Sequence, residues 1–179
     1  MKSLWTIVGV FVAVVCGVTI GIVLGSKLID QPMMGTGPNG TLLHSGDSFP
    51  LATLTNGAGT EVSVESLCEP QPLLIIYATF GCDPCHLEVE KWRKRAAQDP
   101  PLPFDICVVT STAFSEIGEI PDDWNAEFPV YWDVGGQLQD KYEFSRTPTL
   151  VLLDRKAEVA AVISGYSRGV DGERLAASL

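Results

Sequence analysis

Six apolar residues, Leu73-Leu74-Ile75-Ile76-Tyr77-Ala78, lead through Thr79-Phe80-Gly81 into Cys82-Asp83-Pro84-Cys85, and this junction constrains the fold more than any other stretch of the chain. A continuous apolar run of that length predicts a central strand covered on both faces. Leu87, Trp92 and the stretch from Glu88 to Gln98 predict a helix, which Asp99-Pro100-Pro101-Leu102-Pro103 ends because proline cannot continue it. The C-x-x-C pair therefore stands where a strand gives way to a helix. A helix start offers unpaired N–H groups and the positive end of the dipole, both of which favour a thiolate. A second cysteine three residues on lies one turn away, at bonding distance. Cys82 is the candidate attacking sulfur and Cys85 the candidate resolving sulfur. Pro84 suits the first turn, where its missing N–H is not needed.

Glu88 follows Cys85 by three residues and shares its helix face. A buried carboxylate there would accept a proton as Cys85 attacks, or raise the pKa of that thiol by its charge; a solvated helix carboxylate is the plain alternative. Asp83, between the cysteines, disfavours a thiolate at Cys82 and so pushes the pair toward the reducing side. A second element, Ser145-Arg146-Thr147-Pro148-Thr149, stands just before another apolar run. Proline at a strand entrance commonly marks an edge or a turn. A cis proline there also leaves the preceding carbonyl and amide free to pair with an extended substrate chain, which makes Thr147 and Pro148 candidate substrate-binding residues.

Elsewhere, Phe49, Leu51 and Leu54 precede Asn56-Gly57-Ala58-Gly59, and Val62 and Val64 alternate with polar residues after it, a pattern that predicts a hairpin. Further strands are expected over Phe104 to Val109, Thr149 to Leu153 and Val159 to Ile163, with acidic helical or irregular material from Ser115 to Glu127. Brief helices are expected over Gln137 to Tyr142 and Asp171 to Leu179. Strands alternating with helices, then a closing hairpin and helix, describe an α/β fold with a mixed sheet.

The chain has 12 basic and 22 acidic residues for a net charge of −10, which leaves no broad basic footprint for nucleic acid. No second C-x-x-C follows the first, and the histidines are His44 and His86, so half of a zinc site is a weak reading and no metal or other cofactor is expected. Cys68 and Cys107 stand apart in sequence. They read as small buried hydrophobes, with a structural disulfide as the alternative that an oxidising compartment allows.

Residues Leu4 to Leu24 form a run of 21 without a charge, close to the roughly 20 residues that cross a bilayer. No Ala-x-Ala site follows, so residues 1–25 are expected to be an uncleaved transmembrane anchor. Cys16 reads as an apolar membrane residue, and Gly17, Gly21 and Gly25 as ordinary membrane glycines. Lys2 on one side and Lys27 with Asp30 on the other leave the orientation weakly determined by charge. Residues 26–41, rich in Gly and Pro without a period, read as a flexible linker. The folded domain then spans residues 42–179.

Taken together, F-P-L-A-T-L-T-N-G-A-G-T-E-V-S-V, L-L-I-I-Y-A-T-F-G-C-D-P-C-H-L-E, F-P-V-Y-W-D and K-Y-E-F-S-R-T-P-T-L-V-L-L-D resemble the thioredoxin superfamily. Within it they resemble the TlpA/ResA-like membrane-anchored thiol-disulfide oxidoreductases of bacteria, over most of residues 45–179. The resemblance implies a thioredoxin-like fold with an N-terminal hairpin, a cis Pro148 opposite Cys82, and Glu88 in the place of the family's active-site glutamate. It also implies a domain on the periplasmic or extracellular side of the cytoplasmic membrane that reduces disulfides of envelope proteins, apocytochrome c among them, and a membrane protein as electron donor. Two departures stand out: Gly81 replaces the aromatic that usually precedes the first cysteine, and Asp154-Arg155-Lys156-Ala157 lacks the usual turn glycine.

An oxidase or isomerase would use the same residues. A peroxiredoxin-like thiol peroxidase is a second reading, with Cys82 as peroxidatic cysteine, Thr79 three residues before it and Arg146 as a peroxide ligand, although Ile75 stands where a proline is expected. A copper-binding module without catalysis is the third, which the shortage of methionine and histidine near the site disfavours.

Overall fold

A computed structural model describes residues 41–49, 52–111, 124, 128–144 and 146–179. The expected anchor over residues 1–25, nearly all of the linker, and the stretch Ser115 to Glu127 except Trp124 lie outside the described residues. Among the described residues no helix is long and apolar enough to cross a membrane.

The N-terminal hairpin is present as β1 (Thr53–Asn56) and β2 (Glu61–Ser63), paired antiparallel. Asn56 closes its turn, its Oδ1 accepting from the N–H groups of Ala58 (3.0 Å) and Thr60 (2.9 Å). The strand pattern expected to continue through Val64 instead gives way to a short helix, α1 (Val64–Cys68). The cause is local: the Ser63 hydroxyl accepts from Ser66 N at 3.2 Å, an N-cap that competes with strand continuation.

The apolar run forms β3 (Leu73–Tyr77), followed by α2 (Asp83–Ala96), β4 (Asp105–Thr110), β5 (Val130–Trp132) and α3 (Gln137–Tyr142). The chain ends with β6 (Thr149–Leu153), β7 (Val159–Ser164) and α4 (Gly172–Ala176). Helix α2 starts at the C-x-x-C, as expected: Cys82 is its N-cap and Pro84 sits in its first turn. Among the described residues seven strands form one mixed sheet in the order β2-β1-β5-β4-β3-β6-β7. β3 and β4 are parallel and β4 and β5 are parallel; β6 runs antiparallel to β3 and to β7.

Side chains alternate between the faces of a strand, and both faces of β3 are apolar. Leu73, Ile75 and Tyr77 pack with Cys107, Val109, Val151, Phe49, Val64 and Leu138 on one side. Leu74, Ile76 and Ala78 pack with Val108, Leu150 and the α2 residues Cys85, Val89 and Trp92 on the other. The continuous apolar run is thus explained by cover on two sides. At the β6–β7 turn, where glycine is missing, Ala157 itself takes the left-handed conformation (φ 58°).

Candidate active site

Strand register brings the site together. Tyr77 pairs with Thr149 across β3 and β6, so the residues leaving β3 and those entering β6 meet at one end of the sheet. Gly81 makes the exit possible: its φ of +73° lies in the left-handed region that side-chain-bearing residues avoid. A Cβ there would meet no atom within 4 Å, so the requirement for glycine is backbone geometry and not space.

Cys82 then caps α2. Its carbonyl accepts from Cys85 N (2.9 Å) and His86 N (3.2 Å), and its sulfur accepts from Cys85 N at 3.3 Å. Cys82 and Cys85 are joined as a disulfide with Cα atoms 5.2 Å apart. Cys82 is half-buried while Cys85 is fully buried, so only the first sulfur meets an incoming molecule. Facing it, the Thr147–Pro148 bond is cis. The Thr147 carbonyl oxygen lies 3.7 Å from Cys82 Sγ, and the Thr147 hydroxyl donates to that sulfur at 3.6 Å. Thr79 Oγ1 stands 3.2 Å from Thr147 Oγ1, so the threonine that a peroxidase reading would assign to peroxide is turned to the proline loop. Arg146 is exposed.

Glu88 is fully buried. Among the described residues its carboxylate partners are not the cysteines at which its helix position aims it: Trp92 Nε1 donates to Oε1 at 2.7 Å, Ser167 N to Oε2 at 2.8 Å, and the Ser167 hydroxyl to Oε1 at 2.5 Å. The Lys91 ammonium lies 2.7 Å from the same Oε1. Reading the sequence found Glu88 and missed Lys91 and Ser167: the i, i+3 spacing of Glu88 and Lys91 was a signal that could have found the lysine, whereas a loop serine 79 residues away carries none.

Beside the disulfide, Trp124 is fully buried and its Nε1 donates to His86 Nδ1 at 3.2 Å, while Phe80 packs against the Trp124 ring at 5.3 Å. His44 stands apart, exposed and bonded to Asp47. Among the described residues no group of three or more His, Cys, Asp or Glu side chains is placed to hold a metal ion. Cys68 and Cys107 are free and buried. Burial, then the charges of Asp154 and Glu65, push the Cys68 thiol up to about 12; burial pushes Cys107 in the same direction. Such thiols are poor nucleophiles, which leaves Cys82 and Cys85 as the reactive pair among the described cysteines.

The arrangement is that of a two-electron dithiol–disulfide couple beside a cis-proline loop. The sequence profile of the family described as Redoxin matches residues 44–179. No curated protein matches the chain. Among solved structures, it is similar to a putative thiol:disulfide interchange protein DsbE from Chlorobium tepidum, with 24% identity and a TM-score of 0.59 over 76% of this chain and 95% of that one. StoA from Bacillus subtilis matches with 22% identity and a TM-score of 0.54 over 74% of this chain and 98% of that one. Peroxidoxin BcpB from Mycobacterium tuberculosis matches with 16% identity and a TM-score of 0.63 over 76% of this chain and 96% of that one. At these identities the likenesses establish the thioredoxin-like fold.

Proposed function

The chain belongs to the redoxin family, an oxidoreductase with a disulfide-capable Cys82–Cys85 pair, and we propose that it is a membrane-anchored, extracytoplasmic thiol-disulfide oxidoreductase that reduces disulfides of envelope proteins such as apocytochrome c. The observation that carries this reading is the asymmetry of the pair: a half-buried Cys82 at a helix start, beside the Thr147 carbonyl, bonded to a fully buried Cys85.

In the proposed cycle the Cys82 thiolate attacks one sulfur of a client disulfide. A mixed disulfide forms and the other client sulfur leaves as thiolate, taking a proton from solvent. The Thr147 carbonyl and the backbone beside Pro148 hold the client as an added extended segment. Cys85 gives its proton to solvent and its thiolate attacks Cys82 Sγ; the second client sulfur leaves as thiolate and takes a proton from solvent, and the Cys82–Cys85 disulfide closes. Glu88 acts on this step from one helical turn away. Two electrons and two protons have then passed to the client, and a membrane-embedded dithiol donor restores the pair. The uncharged run from Leu4 to Leu24 supports the anchor; an extracytoplasmic site would meet few cytosolic reductants, so the reading includes a dedicated donor.

Peroxidase chemistry is the rival for the same sulfur, favoured by Thr79 three residues before Cys82. A competition decides between them: the reduced chain is mixed with hydrogen peroxide and a disulfide-bonded peptide together, and both second-order rates are followed. Faster consumption of the peptide disulfide supports exchange. Faster consumption of peroxide that persists in Cys85→Ser overturns it.

A further inference from the structure

The segment leaving β7 ties the two halves of the site to each other. Gly165 N donates to the Pro148 carbonyl at 2.7 Å, on the client side. Two residues later Ser167, 4% exposed, reaches α2 and gives both its N–H and its hydroxyl to Glu88. Lys91 closes the cluster: its ammonium contacts Glu88 Oε1, donates to the Ser167 carbonyl at 3.0 Å, touches the Ser167 hydroxyl, and stands 4.9 Å over the Trp92 ring.

This lysine differs from the cations that follow it on the helix. Arg93 and Lys94 pair with Glu90, where the carboxylate and both cations are solvated, and such pairs contribute little. The Lys91 side chain is 24% exposed and meets a carboxylate that is 0% exposed. Removing one member of a buried pair leaves the other charge uncompensated.

We propose that Lys91 is a positioning residue for the exchange reaction: it balances the charge of Glu88, one helical turn from Cys85, and thereby sets the dithiol–disulfide equilibrium, while Ser167 fixes the carboxylate against the Pro148 loop. The inference rests on the exchange function proposed above. Its logic is electrostatic. Glu88 lies one turn from Cys85, so its negative charge disfavours any thiolate in the reduced pair, and the Lys91 charge offsets that effect. Neutralising Lys91 shifts the pair toward the disulfide; neutralising Glu88 with Lys91 in place shifts it toward the dithiol. A purely structural cluster behaves otherwise, since either substitution loosens the same contacts.

The test equilibrates the full chain with reduced and oxidised glutathione, in the reaction of dithiol with glutathione disulfide to give the protein disulfide and two glutathione thiols. Thiol-labelling mass spectrometry reads the Cys82–Cys85 peptide. Relative to the wild type, Lys91→Met is expected to raise this equilibrium constant by about 3- to 10-fold and Glu88→Gln to lower it by about as much. The double variant should return to within about 3-fold of the wild type, and Lys91→Arg, which keeps the charge, to within about 2-fold. Thermal unfolding of each oxidised variant reports whether it is folded. An unchanged constant in a folded Lys91→Met, or shifts of the same sign in Lys91→Met and Glu88→Gln, overturns the role of Lys91 and leaves exchange standing. A wild-type pair that never equilibrates with glutathione overturns the exchange reading and this inference with it.

Discussion

The Thr147 carbonyl oxygen lies 3.7 Å from Cys82 Sγ, although 65 residues separate the two in sequence. The antiparallel register of Tyr77 with Thr149 enforces this approach, and the left-handed Gly81 delivers the sulfur to it. An extended client chain laid along Thr147 would present its own cysteine to the attacking sulfur. The sheet therefore holds side by side the strand ends that carry the disulfide and the cis-proline loop.

If Cys82 attacks and Cys85 resolves, the two serine variants differ in kind. Cys82→Ser should lose at least about 10³-fold of disulfide reductase activity, whereas Cys85→Ser should accumulate a covalent complex with client through Cys82. Mass spectrometry of non-reduced samples reads the trap. A complex that forms through Cys85 in Cys82→Ser, and not the reverse, would reverse the assignment.

Asp133 is a buried carboxylate whose partners are the Tyr77 hydroxyl (2.9 Å), Leu138 N (3.0 Å) and Gln139 N (3.2 Å). It caps α3 from outside the helix, since Gly136 at the N-cap has no side chain to offer. Asp133→Ala strands these donors and should cost about 2–3 kcal/mol, and Tyr77→Phe about 1 kcal/mol, in urea unfolding. Equal costs for the two would mean that the backbone donors find other partners.

The buried thiols predict alkaline sensitivity. Cys68 keeps its proton to about 12 in the folded chain against an ordinary 9.0, so unfolding releases a proton in that window. Stability is then fully present below pH 9 and lost as pH rises toward 12, at about 1.4 kcal/mol per pH unit for each such thiol. Cys107, raised by burial, adds in the same sense. Replacing both by alanine should flatten the slope of unfolding free energy above pH 9 relative to the wild type. An unaltered slope would assign the alkaline loss to other groups.

Glu143 is exposed and ends α3 with φ 51°. A left-handed side-chain-bearing residue costs about 1–2 kcal/mol, of which glycine returns part to chain entropy. Glu143→Gly should therefore stabilise the protein by about 0.5–1 kcal/mol, seen as a rise in Tm; a fall in Tm would show that the Glu143 side chain contributes more than the backbone costs.

Much of the frame was legible because its signals are local. The run from Leu73 to Tyr77, the Asn56 turn, the brief helix over Gln137 to Tyr142 and the β6–β7 hairpin each carry their own pattern of apolar residues and turn formers. Val64 was misread, since alternation with Val62 looks like a strand until the Ser63 cap is considered. The dithiol was legible from its place between strand and helix. The polar residues around it were less legible: Ser167 and Trp124 meet α2 from distant parts of the chain, Asp133 pairs with Tyr77 and α3, and Lys91 carries only the i, i+3 spacing to Glu88 that many helix surfaces share. Long-range polar pairing leaves no trace in sequence spacing.

The most direct measurement is a redox titration of the full chain, with the Cys82–Cys85 peptide read by thiol-labelling mass spectrometry across glutathione and dithiothreitol buffers. The account predicts one reversible two-electron transition with a midpoint below about −200 mV, in the range of dithiols that donate electrons. A pair that does not interconvert at any potential would contradict thiol-disulfide exchange as the chemistry of this site.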